Sequence, residues 1–173
     1  NGLKLDINTD FLNEHYYNPI LLTTEDNRQL FKHIIWRPSE VQFLKELNNN
    51  RDKLEKYEWW YFSKIDETTD EVSIPYYDSA EQEFRNFFPD FIFWLKPKDS
   101  DKLIIKFIDP KGSRLGIGNA EDKARGYENV FNGHTVKYED RDVEINLFFY
   151  NDPIGVNQSV RKYFTKDFHK MFG

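Results

Sequence analysis

The sequence predicts an α/β protein, a mixed central sheet flanked by helices. Three observations predict it. Residues 87–95 and 103–112 are apolar runs rich in β-branched and aromatic side chains, joined by the short polar linker Lys96-Pro97-Lys98-Asp99-Ser100-Asp101. They read as a hairpin of inner strands, apolar on both faces. Helical spacing appears on either side of them, in Phe43, Leu44 and Leu47 and again in Ala120, Ala124, Tyr127 and Phe131. A third apolar run, residues 143–150, follows the second helix and supplies another strand.

Taken in order, residues 1–35 form an N-terminal extension and residues 36–173 one domain. Within the extension, residues 18–23 read as a short strand and 25–33 as a short helix. Ser39 is placed to cap the first helix, with Gln42 completing a capping box. That helix fades near Asn48-Asn49-Asn50 or continues to Glu55. The aromatic stretch 57–65 is a strand, and the polar stretch 66–70 a turn. Residues 72–77 form a shorter strand, which Pro75 puts at an edge or a bulge. Residues 78–85 read as a charged connector holding a helical turn. After the two central strands, the glycines of 112–118 make a loop. Asn119 caps the second helix, with Gly133 past its end. Residues 157–171 read as a last amphipathic helix with Val160, Phe164, Phe168 and Met171 on one side.

Composition narrows the classes. A chain of 173 residues with 17% aromatics can bury a substantial core. It has no cysteine, so neither a disulfide frame nor a thiolate zinc site is available. That fits a reducing, cytoplasmic setting. No apolar run approaches the ~20 residues of a membrane-spanning helix. There is no basic-then-apolar leader and no initiating methionine, as in a piece of a longer chain. The net charge of -6 counts against a strong, autonomous DNA-binding module.

The chemistry concentrates in the central strands. Asp90 follows Pro89 at the start of one, and Asp109-Pro110-Lys111 ends the next. By strand alternation Asp90 shares a face with Ile92 and Trp94, and Asp109 and Lys111 share one with Leu103, Ile105 and Phe107. Charges on apolar faces are costly unless paired or bound to a metal. A divalent cation between the acids would balance them. Carboxylates without His or Cys select hard cations, so Mg²⁺ or Mn²⁺ is the expected metal. Lys111 would hold the attacking water or offset developing charge, as base or as electrostatic stabiliser. Pro-Asp and Asp-Pro are also common turn dipeptides, and either fragment alone reads as a strand end. Glu40, in the first turn of the first helix, either favours the helix dipole or joins the site.

Other chemistries are excluded. There is no Gly-x-Ser-x-Gly elbow and no phosphate-binding loop. His15, His33, His134 and His169 are scattered without metal-ligand spacing.

At Pro89-Asp90 and Asp109-Pro110-Lys111 the sequence resembles the PD-(D/E)XK nuclease superfamily. Ser39-Glu40-Val41-Gln42-Phe43, Trp59-Trp60, Ile74-Pro75-Tyr76-Tyr77, Phe88-Pro89-Asp90-Phe91 and Asp109-Pro110-Lys111-Gly112 follow one another. In that order they are similar to the C-terminal endonuclease domain of type III restriction enzyme Res subunits and related helicase-nucleases, over residues 36–150. The resemblance implies a restriction-endonuclease-like core that uses Mg²⁺ to hydrolyse DNA phosphodiester bonds. It implies Asp90, Asp109 and the Pro110 carbonyl as metal ligands, with Lys111 on the water and Glu40 as the first-helix acid. Lys123 and Tyr127 look like a variant of the family's Gln-x3-Tyr pair, with Tyr127 equally able to pack under the sheet. Arg114, Lys123 and Arg125 would make local DNA phosphate contacts. The resemblance also implies an ATP-driven helicase motor in the parent chain and a modification methyltransferase as partner. The alternative is a catalytically silent nuclease fold that binds DNA or scaffolds. Pro110 is unusual within the motif: it removes a ladder N–H, so the strand must end or bulge there.

Overall fold

A computed structural model of the chain describes residues 7–10, 14, 20–23, 35–110, 119–131 and 136–173. The chain opens with an antiparallel pair, β1 (Ile7–Asp10) and β2 (Ile20–Thr23). Helix α1 (Pro38–Asn49) follows, then a 3₁₀ turn at Arg51–Leu54. β3 (Tyr57–Lys64) leads to a separate ribbon of β4 (Ile74–Asp78) and β5 (Glu83–Phe87). β6 (Phe91–Pro97) and β7 (Leu103–Pro110) form the central hairpin. Helix α2 (Ala120–Phe131), β8 (Val136–Tyr138), β9 (Arg141–Tyr150) and the short helix α3 (Phe168–Phe172) complete the chain.

The main sheet has the order β3-β6-β7-β9-β8, so β6 and β7 are inner strands. β9 lies parallel to β7, and the return between them carries α2 and β8. Alternation along the strands divides the core. Phe91, Phe93, Leu95 and Ile108 join Phe43, Leu44 and Leu47 of α1 and Phe168, Met171 and Phe172 of α3 on one face. Ile92, Phe107, Leu147 and Phe149 join Ala124 and Tyr127 of α2 on the other. Phe43 is fully buried, with ring contacts to Phe91 at 5.3 Å, Tyr150 at 5.1 Å and Phe168 at 5.8 Å.

The ribbon is pinned to α2 by a close approach. A Cβ on Gly126 would sit 2.5 Å from Tyr76 Cβ and 2.6 Å from the Pro75 carbonyl oxygen, a gap that only glycine leaves open.

Several elements depart from the sequence expectations. Ser39 does not cap α1. The helix begins at Pro38, with Arg37 in the capping position and no side-chain cap. Proline presets the first helical φ, and at this position its missing N–H is one that has no partner within the helix. Gln42 instead donates to Glu46, one turn on, at 2.7 Å. Residues 78–85 hold no helical turn. Asp78 Oδ1 accepts from the N–H groups of Ala80 and Glu81, which tightens a hairpin into β5. β5 carries mostly exposed side chains, so it lacks the alternation that announces a strand.

The last segment is not one helix. Arg161–Tyr163 is a 3₁₀ turn, Phe164 bridges to Phe149 as extended chain, and Asp167 caps α3 by accepting from the His169 N–H. Val160 and Phe164 enter the core on the α2 face, while Phe168 and Met171 enter the core on the α1 face. No single helical stripe can serve both. The expected helix at 25–33, the glycine loop and Gly133 lie outside the described residues. No helix among the described residues is long and apolar enough to cross a membrane.

Candidate metal centre

The two motif acids meet. Phe91 pairs with Ile108 at the end of the β6–β7 ladder, and Asp90 and Asp109 are the residues next to that rung. The Asp90 backbone is tied to β3 by an N–H···O=C bond from Ile65 at 2.8 Å. Asp109 is buried in β7, beside Phe149 of β9. The Asp90 carboxyl lies close enough to Asp109 to feel its charge.

The electrostatics follow from that crowding. Burial, then the Asp109 charge, then the Glu40 charge hold the Asp90 carboxyl well above the usual carboxylate range, while Lys64 opposes them. Two acids sharing one place and resisting joint ionisation is the arrangement a divalent cation relieves.

Glu40 lies in the first turn of α1 and is fully buried. A helix-dipole role alone needs only an exposed acid. Here Oε1 sits 3.0 Å from Lys64 Nζ and 3.7 Å from Arg37 Nε. Neither oxygen accepts a hydrogen bond among the described residues. Lys64 was not singled out from the sequence. The available signal was a lysine two places beyond Phe62 and four beyond Trp60, on the strand face that packs under α1.

The remaining expected site residues are distributed as follows. Pro110 is the last described residue of β7, is buried, and pairs with Tyr150 of β9. Lys111 and Arg114 lie outside the described residues. Lys123 Nζ stands over the Phe87 ring at 4.7 Å and the Tyr76 ring at 5.9 Å. Tyr127 is buried under the sheet, where its hydroxyl donates to the Ile145 carbonyl. Burial pushes that hydroxyl up to about 12.

The donor set fits Mg²⁺ in kind. It is all oxygen, it contains an acid pair under charge strain, and both buried carboxylate oxygens of Glu40 make no hydrogen bond among the described residues. Among the described residues no three His, Cys, Asp or Glu side chains close into a ready cage. Glu40 pairs with Lys64.

No curated protein and no solved structure matches this chain. A family model, that of the YagJ family, matches residues 31–146, a span containing Glu40, Lys64, Asp90 and Asp109. Because that span covers more than half of the sequence, the chain belongs to the YagJ family.

Proposed function

We propose that this chain is a Mg²⁺-dependent endonuclease domain of the PD-(D/E)XK type, hydrolysing DNA phosphodiester bonds as part of a type III restriction system. The observation that carries the proposal is the Asp90–Asp109 carboxyl pair at the ends of adjacent inner strands, with Glu40 close enough to raise Asp90 further. Asp90, Asp109 and the Pro110 carbonyl would hold the ion. Such an ion lowers the pKa of a bound water and offsets charge on the phosphate.

The chain's own contributions are positional. The Phe91–Ile108 rung of the β6–β7 hairpin carries the residues next to Asp90 and Asp109. The Ile65 N–H fixes the Asp90 backbone. Lys111, adjacent to Pro110, orients the attacking water or meets the developing charge. A helicase motor in the parent chain and a methyltransferase partner would carry most of the DNA grip, consistent with a net charge of -6.

The test is cleavage of plasmid DNA in Mg²⁺ with the parent complex assembled. Asp90→Ala and Lys111→Ala should each abolish cutting while circular dichroism stays that of the folded domain. Cutting retained by either variant refutes the assignment.

A second reading, a silent nuclease fold that binds DNA or scaffolds, is favoured by the net charge of -6 together with Pro110 in the motif. It predicts no metal-dependent cutting by the wild-type complex.

A further inference from the structure

We infer that Lys64 is a positioning residue of the centre. It holds Glu40 in an internal ion pair and so keeps the third acid from joining Asp90 and Asp109 around the cation. The inference rests on the metal-centre reading above and deepens it.

The strand register places the lysine. Trp60, Phe62 and Lys64 share one face of β3, and the first two are buried in the core that includes α1. A third position on that face carries a cation, which costs free energy unless it is answered. Glu40 answers it at 3.0 Å, with its side chain 1% exposed and that of Lys64 20% exposed. Lys64 Nζ also lies 5.8 Å from the Phe91 ring centre. Its backbone is fixed as firmly. Lys64 pairs with Phe91 on β6, and the next residue, Ile65, donates its N–H to the Asp90 carbonyl. The ammonium therefore has a fixed address beside the acid pair.

The charges explain why it matters. Asp90 feels the charges of both Asp109 and Glu40, and a cation bound to all three would sit in a net negative cage. Lys64 and Arg37 both approach Oε1 of Glu40 as ion-pair partners, while neither carboxylate oxygen accepts a hydrogen bond among the described residues. Glu40 is thus neutralised from the lysine side, and a two-aspartate site remains. Removing the ammonium takes a positive charge away from the metal position and frees a buried carboxylate at once. Both changes favour the cation.

Calorimetric titration of Mn²⁺ into the 173-residue chain reads this directly. Lys64→Met should bind about tenfold more tightly than wild type, the scale of one charge interaction a few ångströms away. Lys64→Arg, which keeps the cation, should bind as wild type does. Lys64→Met combined with Glu40→Gln should return to wild-type affinity. Equal or weaker binding by Lys64→Met overturns the inference, as does a gain that survives in the double variant. Should Lys64→Met fail to fold, Lys64→Gln keeps an N–H donor without the charge and carries the same expectation. Binding by Lys64→Met but not by wild type supports the inference while removing native metal catalysis. No binding by any of these proteins removes both.

Discussion

Lys106 offers a quantitative test of the packing between the sheet and the C-terminus. It lies on β7 with only 8% of its surface exposed. Its ammonium donates to the Met171 carbonyl at the end of α3 and stands 5.6 Å and 5.7 Å from the Phe148 and Phe172 rings. Burial, aided by the charge of Lys56, pulls it from 10.5 to about 8. At about 1.4 kcal/mol per unit, holding this lysine charged costs the fold roughly 3 kcal/mol. One hydrogen bond to a carbonyl returns about 1–1.5 kcal/mol. Lys106→Met keeps the volume and removes both terms, so at pH 7 it should stabilise the protein by about 2 kcal/mol. For a chain of this length, that is a rise in Tm of roughly 4–8 °C.

The pH dependence has a definite sign. Between pH 8 and 10.5 the unfolded chain holds the lysine proton and the folded chain does not, so wild-type stability climbs with pH. Tyr57, Tyr127 and Tyr150, each pushed up to about 12 by burial, act oppositely and only above pH 10. Urea unfolding at pH 7, 8, 9 and 10 should therefore show a rise for wild type and a flat line for Lys106→Met. A variant less stable than wild type at pH 7, or one that keeps the rise, refutes the reasoning.

Gly126→Ala forces a methyl against Tyr76 and the Pro75 carbonyl, and should cost about 1–3 kcal/mol in urea unfolding. Phe43→Ala empties the centre of the α1 face and should cost about 3–5 kcal/mol, measured in the same way. Tyr127→Phe should cost about 1 kcal/mol by losing the bond to Ile145, and should leave Mn²⁺ affinity unchanged.

The legible parts of this fold are those where local pattern and tertiary role coincide. β6 and β7 are apolar on both faces because both faces are covered, and their short polar linker could only join neighbours. The meeting of Asp90 and Asp109 follows from that pairing. The illegible parts depend on distant partners. β5 is a strand because β4 offers a ladder and Asp78 shapes the turn, not because its own residues alternate. Val160 through Met171 matched a helical stripe by spacing, yet its members belong to opposite faces of the sheet. Lys64 escaped notice because a lysine at a strand end is ordinarily solvated. Only the arrival of Glu40 from another element gives it a role. Pro38 displaced the expected cap because its fixed φ starts the helix one residue before Ser39.

Binding of Mn²⁺ to the isolated chain, followed by the electron paramagnetic resonance of the free ion, tests the central claim most directly. The account predicts one site on the wild-type chain and none on Asp90→Asn or Asp109→Asn, with each variant folded by circular dichroism. A site that persists undiminished in both variants would contradict it.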